Sequence, residues 1–93
     1  MVKVRVRFLQ EYYFLVGKHE VEMELKGESP TIRDLLQALP ADVREKLLEE
    51  GDRVKPPNEI LVNGRSIAGL DGLDTRLKEG DLVVILPRPL FVV

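Results

Sequence analysis

Val2, Val4, Val6 and Phe8 alternate with Lys3, Arg5 and Arg7, and this period of two predicts a strand with one face buried and one in water. Val21, Met23 and Leu25 alternate with Glu20, Glu22, Glu24 and Lys26, the same pattern with the opposite charge outward. The basic and acidic faces suit antiparallel pairing through a turn at Gly17-Lys18, each cross-strand ion pair contributing ~0.2–1 kcal/mol. The stripe Lys3-Arg5-Arg7 is therefore read as a neutralised solvent face in preference to an anion site. Between the strands lies Gln10-Glu11-Tyr12-Tyr13-Phe14-Leu15-Val16. It is too long for a tight hairpin and is expected to form a short helix or a wide loop over one sheet edge. Its three aromatics fit either a contact patch, where Tyr and Phe are enriched, or a small core taking at least two of them.

A helical period follows. Ile32, Leu35, Leu36 and Leu39 form one apolar stripe, and Thr31 with Asp34 three residues on is a capping-box pattern. Pro40 stops or kinks this helix, because it lacks an N–H and crowds the preceding turn, and it suits the start of a second short helix. The second helix is expected from Ala41 to Glu50, with Val43, Leu47 and Leu48 apolar and Gly51 placed to end it. Arg53 to Asn58, with Pro56-Pro57, reads as a stiff surface connection. Ile60-Leu61-Val62 is a short strand, Asn63-Gly64 is a hairpin turn, and Arg65-Ser66-Ile67 is the return. Ala68 to Lys78 reads as a loop anchored by Leu70, Leu73 and Leu77. Leu82-Val83-Val84-Ile85-Leu86 is apolar at every position, as expected of a strand central in a sheet or covered on both faces.

Ninety-three residues make one domain with one core. The chain has no cysteine, which removes disulfides, thiolate metal sites and cysteine nucleophiles. Fourteen basic against sixteen acidic residues give a net charge of −2, unlike the basic footprint of a nucleic-acid binder. No apolar run approaches the ~20 residues of a membrane span, and the alternating charges after Met1 do not fit a signal peptide. A cytoplasmic protein is expected, with neither nucleic acid nor membrane as partner.

Candidate chemistry is sparse. His19 is the only histidine, beside an expected turn and with no second ligand to form a metal site. Asp71 and Asp74 sit in a Gly-containing loop without the calcium-loop pattern of alternating ligands, and Asp-Gly is ordinary turn chemistry. Ser29 and Ser66 have no base nearby in sequence, and Gly69-Leu70-Asp71-Gly72 matches no phosphate-loop spacing. No catalytic, metal or cofactor-binding residue is assigned, and the chain is read as not being an enzyme.

The order strand–strand–helix–strand–strand, with a fully apolar last strand, suits an α+β fold of the β-grasp type. Val2 to Phe8, Thr31-Ile32-Arg33-Asp34-Leu35-Leu36, Ile60-Leu61-Val62-Asn63-Gly64-Arg65 and Asp71 to Asp81 resemble, segment after segment, the small sulfur carriers of the MoaD/ThiS family. The resemblance covers almost the whole chain to Pro87. It implies a ubiquitin-like β-grasp domain over 1–87, with a mixed four- to five-stranded sheet, one main helix and a second short one. It also implies a mechanism in which an activating enzyme adenylates a C-terminal glycine carboxylate and sulfur transfer then gives a thiocarboxylate. In molybdopterin synthase the tail threads into a larger subunit.

Those carriers work through a terminal Gly-Gly, and no Gly-Gly occurs in this sequence. Residues 88–93, Arg88, Pro89, Leu90, Phe91, Val92 and Val93, instead form an apolar tail with β-branched residues where the carriers have no Cβ. Burial of each large side chain contributes roughly 1.5–3 kcal/mol and ordering costs ~1–2 kcal/mol per residue, so docking would be modestly favourable. The expectation is a non-catalytic protein related to the molybdopterin synthase small subunit, acting by protein–protein docking through these six residues and not thiocarboxylated. The alternative is a working sulfur carrier in molybdenum or tungsten pterin cofactor synthesis, or in thiamine synthesis, activated at its C-terminus. Expected partners are a molybdopterin synthase large subunit-like protein, an adenylating activating enzyme, or a second copy bound through the tail.

Overall fold

The computed structural model describes residues 1–50 and 53–88. In chain order they form β1 (Val2–Phe8), α1 (Glu11–Val16), β2 (Glu20–Leu25), α2 (Ile32–Gln37), α3 (Ala41–Leu47), β3 (Leu48–Glu49), β4 (Arg53–Val54), β5 (Glu59–Val62), β6 (Arg65–Ser66) and β7 (Leu82–Leu86). The main sheet has five strands in the order β2-β1-β7-β5-β6, and β3 pairs with β4 in a separate two-stranded ribbon. β1 and β7 run parallel at the centre and every other pairing is antiparallel. This is the α+β, β-grasp arrangement expected from the strand order, with the last strand beside the first.

The alternation in β1 and β2 becomes their register. Lys3 lies opposite Glu24, Arg5 opposite Glu22 and Arg7 opposite Glu20, while Val4, Val6 and Phe8 point inward and are fully buried. On the same inner face, Val6 neighbours Val83 and Phe8 neighbours Ile85. Ile32, Leu35 and Leu36 of α2, Val43 and Leu47 of α3, and Leu77 close this layer.

Local chemistry sets the helix ends. The Thr31 backbone N–H donates to Asp34 Oδ2 at 2.9 Å and the Asp34 N–H donates to Thr31 Oγ1 at 3.3 Å, forming the reciprocal capping box. At the other end of α2, the Arg44 guanidinium donates to the carbonyl oxygens of Leu36 and Gln37, 3.3 and 3.4 Å away, and to that of Leu39. It thereby adds a side-chain donor to carbonyls at the helix end, where Pro40 has no N–H to offer the Leu36 carbonyl.

Several sequence expectations need correction. α3 ends at Leu47, not at Glu50, because Leu48 turns extended and pairs with Val54. That ribbon lets Leu48 and Val54 pack on the core, and the Lys55 N–H caps the Leu47 carbonyl at 2.7 Å. The assignment of Gly51 as the helix terminator lies outside the described residues. The Ala68–Lys78 segment holds two short 3₁₀ turns, Ile67–Gly69 and Gly72–Asp74, so Ile67 opens a turn and does not continue the return strand. Finally, the aromatic link is helical, but it packs against β1, β7 and α3. It covers central strands, whereas the sheet edges are β2 and β6.

The aromatic link also divides its side chains. Tyr12 is fully buried and its hydroxyl donates to Asn58 Oδ1 at 2.7 Å. Burial pushes the Tyr12 phenol well above its ordinary pKa, with the Glu11 charge adding to the effect. Tyr13 is half-buried and stacks on His19, ring centroids 4.0 Å apart. Phe14 is 80% exposed. The core thus takes one aromatic completely, where at least two were expected.

Candidate interaction surface

The side of the sheet away from α2 and α3 is built by register. Moving across the sheet, Glu20 lies beside Arg7, Arg7 beside Val84, Val84 beside Leu61 and Leu61 beside Ser66. A second row runs from Glu22 through Arg5 to Leu82. Because strand neighbours share a face, Leu82, Val84 and Leu61 make an apolar centre bordered by Arg5 and Arg7. Val84 is only 9% exposed, while Leu61 and Leu82 are half-buried. None of the three belongs to the inner core cluster.

The basic border is partly neutralised. Arg7 donates through Nε and Nη2 to Glu20 Oε1 at 3.1 and 2.9 Å, and Arg5 approaches Glu20 at 3.7 Å. Exposed pairs of this kind contribute about 0–1 kcal/mol, so the face can exchange these partners for others at small cost. The reading of Lys3-Arg5-Arg7 as a balanced solvent stripe fits the observed register.

Of the tail residues assigned to partner binding, Arg88 is described; Pro89, Leu90, Phe91, Val92 and Val93 lie outside the described residues. Arg88 leaves the end of β7 and turns toward the start of α1. Its Nη2 donates to Glu11 Oε2 at 2.8 Å and its Nη1 to Gln10 Oε1. Glu11 is held below the usual carboxylate range by a backbone hydrogen bond at its own position and, after that, by Arg88.

Gln10 adopts φ 54°, ψ −126°, a backbone conformation that suits glycine and strains any residue with a Cβ. It is held there from both sides. The Leu9 N–H donates to the Ile85 carbonyl at 3.0 Å, and the Tyr13 N–H donates to the Gln10 carbonyl at 2.9 Å.

Asp74, Ser66 and His19 have structural partners, and the Asp71 backbone is held within its turn. Asp74 pairs with Arg33 at 3.2 Å. The Asp71 N–H donates to Thr75 Oγ1 at 3.1 Å. Ser66 Oγ accepts from the Ala68 N–H at 3.3 Å, and His19 carries the stacked Tyr13 ring. A cavity of about 430 Å³ lies between the Arg53–Ile60 segment and the two 3₁₀ turns, lined largely by Val54, Pro56, Pro57, Ile67 and Leu73.

Sequence reasoning missed the apolar row and the Gln10–Glu11 contact. The row did leave a signal: β1 and β2 alternate strictly, whereas β7 is apolar at both parities, so half of its side chains must face away from the core. The contact left none, since it joins residues 77 and 78 positions apart.

A five-stranded mixed sheet with the first and last strands parallel at its centre, helices on one face and a charged-rimmed apolar strip on the other defines a ubiquitin-like β-grasp protein. The ThiS family model matches residues 6–88, and the chain belongs to that family. Among its relatives is small archaeal modifier protein 3 of Haloferax volcanii, 32% identical over 89 residues, covering 92% of this chain and 95% of the other. A putative sulfur carrier protein of Archaeoglobus fulgidus is 32% identical over 69 residues, 71% of this chain and 78% of that one. The structure of a putative molybdopterin converting factor subunit 1 from Pyrococcus furiosus superposes with a TM-score of 0.78 at 30% identity, covering 96% of this chain and all of the other (100%). The relatives are thus small modifier and sulfur-carrier proteins. Among the described residues, no helix is long and apolar enough to cross a membrane.

Proposed function

We propose that this chain is a non-catalytic docking member of its family, related to the molybdopterin synthase small subunit, that acts by protein–protein contact and is not thiocarboxylated. The observation that carries this reading is the outer sheet face, where Leu61, Val84 and Leu82 lie together in register beside Arg5 and Arg7. An apolar centre with a polar rim is the composition of a protein interface. Residues 88–93, in the reading from sequence, supply the second part of the contact.

Support for docking without sulfur chemistry comes from the residue types after Pro87. Arg88-Pro89-Leu90-Phe91-Val92-Val93 contains no glycine, and no Gly-Gly pair occurs among the ninety-three residues. A narrow catalytic channel that accepts bare backbone would meet a Cβ at each of these positions.

The test has two arms. Titration calorimetry against a molybdopterin synthase large subunit-like protein should show binding that weakens when residues 88–93 are removed and when Leu61 is changed to Arg. Incubation with an adenylating activating enzyme, ATP and a sulfur donor should leave the intact mass unchanged. A mass gain equal to replacing one oxygen by sulfur would overturn the docking-only reading. It would establish instead the working carrier that the kinship with a putative sulfur carrier protein suggests.

A further inference from the structure

We propose that Arg5 and Arg7 form a seat for a partner's carboxylate beside the apolar strip, and that Glu20 occupies this seat in the free chain. This rests on the reading of the outer sheet face as a docking surface. It gives that face a specific partner chemistry, an Asp or Glu side chain flanked by apolar residues.

Three observations converge. First, two guanidiniums turn to one carboxylate. Arg7 donates to Glu20 Oε1 through Nε and Nη2 at 3.1 and 2.9 Å, and Arg5 Nη1 lies 3.7 Å from Glu20 Oε2. Glu22 stands directly opposite Arg5 in the register, yet it holds no ion pair among the described residues. Arg5 thus leans along the strand toward the carboxylate that Arg7 already holds. Register alone would give each arginine its own glutamate.

Second, the occupant is exchangeable. β2 is an edge strand, so Glu20 can turn outward to water with no neighbouring strand in its way. The side chains of Arg5, Arg7 and Glu20 are 49, 42 and 34% exposed, and ion pairs that exposed hold weakly. A guanidinium carries five N–H donors. Arg7 uses its Nε and one Nη2 donor on Glu20, and the rest remain for an incoming carboxylate.

Third, the surroundings select the class of ligand. Arg7 lies beside Val84 and Arg5 beside Leu82, so an anion in the seat has apolar side chains on one side. On the other side β2 carries Glu20, Glu22 and Glu24 on the same face, which leaves little excess positive charge. One negative charge on a partly apolar group suits this setting. A small, doubly charged and strongly hydrated phosphate does not.

The test uses the full chain with capped peptides and inorganic phosphate, read from the side-chain Nε–H signals of Arg5 and Arg7 by NMR at low salt. Acetyl-Ser-Leu-Glu-Leu-Ser-amide should shift both signals. The same peptide with Gln in place of Glu should not, nor should phosphate at matched ionic strength. Glu20→Gln should tighten binding of the Glu peptide about two- to fivefold, the equivalent of an exposed ion pair. Glu22→Gln removes the same charge without emptying the seat, and should give no comparable gain. Arg5→Gln combined with Arg7→Gln should abolish the preference for Glu over Gln.

Equal affinity for the two peptides, with the Val84 and Leu61 amides shifting for both, overturns the seat and leaves the apolar docking face standing. Phosphate that shifts the arginine signals as strongly as the Glu peptide also overturns the proposal, as does an equal gain from Glu22→Gln. A Glu peptide that shifts nothing overturns it too, while the docking face keeps its own test in Leu61→Arg against the large subunit-like protein.

Discussion

Asn63 is tied to Asp81 across the sheet: its Nδ2 donates to Asp81 Oδ1 at 2.9 Å, while its Oδ1 accepts from the Leu82 N–H at 3.0 Å. The other Asp81 oxygen accepts from the Lys78 N–H at 2.8 Å. The β5–β6 turn and the start of β7 are thereby joined through two side chains. This junction closes the end of the β5–β7 pairing, in which Leu61 lies beside Val84.

Asn63 has φ 50°, so Asn63→Gly keeps the turn while deleting the side-chain bonds. A loss of ~1–2 kcal/mol is expected from two hydrogen bonds, one of them to a carboxylate. Asn63→Ala should cost more, since a Cβ residue without a local hydrogen bond is strained at positive φ. Urea unfolding of both variants checks this, and a glycine variant as stable as the parent would show the side chain to be inert.

Tyr12→Phe removes the donor to Asn58 Oδ1 and nothing of the ring. Asn58 itself links α3 and the following loop, donating to the Lys46 and Lys55 carbonyls at 3.2 and 2.6 Å. A loss of about 1–2 kcal/mol is expected, whereas Tyr12→Ala should lose ~3–5 kcal/mol through the cavity it leaves. Thermal unfolding followed by circular dichroism distinguishes the two.

Thr31→Ala removes the hydroxyl that accepts from the Asp34 N–H while keeping the backbone N–H that donates to Asp34 Oδ2, and should destabilise the chain by ~1 kcal/mol, with Thr31→Ser close to the parent. The comparison of the two variants in denaturant isolates the oxygen from the methyl group.

Leu82→Arg, on the outer face and outside the inner core cluster, should change the unfolding free energy by no more than about 0.5 kcal/mol. It should nevertheless weaken binding to a large subunit-like partner at least tenfold, about 1.4 kcal/mol. Equal affinity of parent and variant in calorimetry would remove this face from the interface.

The Glu11–Arg88 pair has a definite pH sign. The folded-state carboxyl is lowered, so the charged pair is complete above the ordinary carboxylate value and is lost as pH falls through the depressed one. A carbon-detected titration of Glu11 should show a low midpoint that moves up toward the ordinary value in Arg88→Gln. A midpoint unaffected by that change would mean that Arg88 contributes nothing to the shift.

How much of this was legible in the sequence follows from how far apart the interacting residues lie. Val2 to Phe8 and Glu20 to Leu25 declared their strands, faces and partners because strand alternation repeats every two residues. Thr31 and Asp34 declared a helix start because the reciprocal bonds close within three positions. Asn63-Gly64 declared a turn because both residues tolerate positive φ. The family resemblance was carried by these local pieces and their order, and residues 6–88 match the family.

Tertiary structure decided the rest. α3 stopping at Leu47 depends on a strand partner at Val54, and the burial of Tyr12 alone among three aromatics depends on where α3 and Asn58 come to lie. Leu61 meets Val84, and Arg88 meets Gln10 and Glu11, only after the last strand has inserted between β1 and β5. Local pattern sets which dihedrals and which faces each segment prefers. Contacts between distant segments form only when the loops between them close, and no periodicity within a segment records the partner that closure will bring.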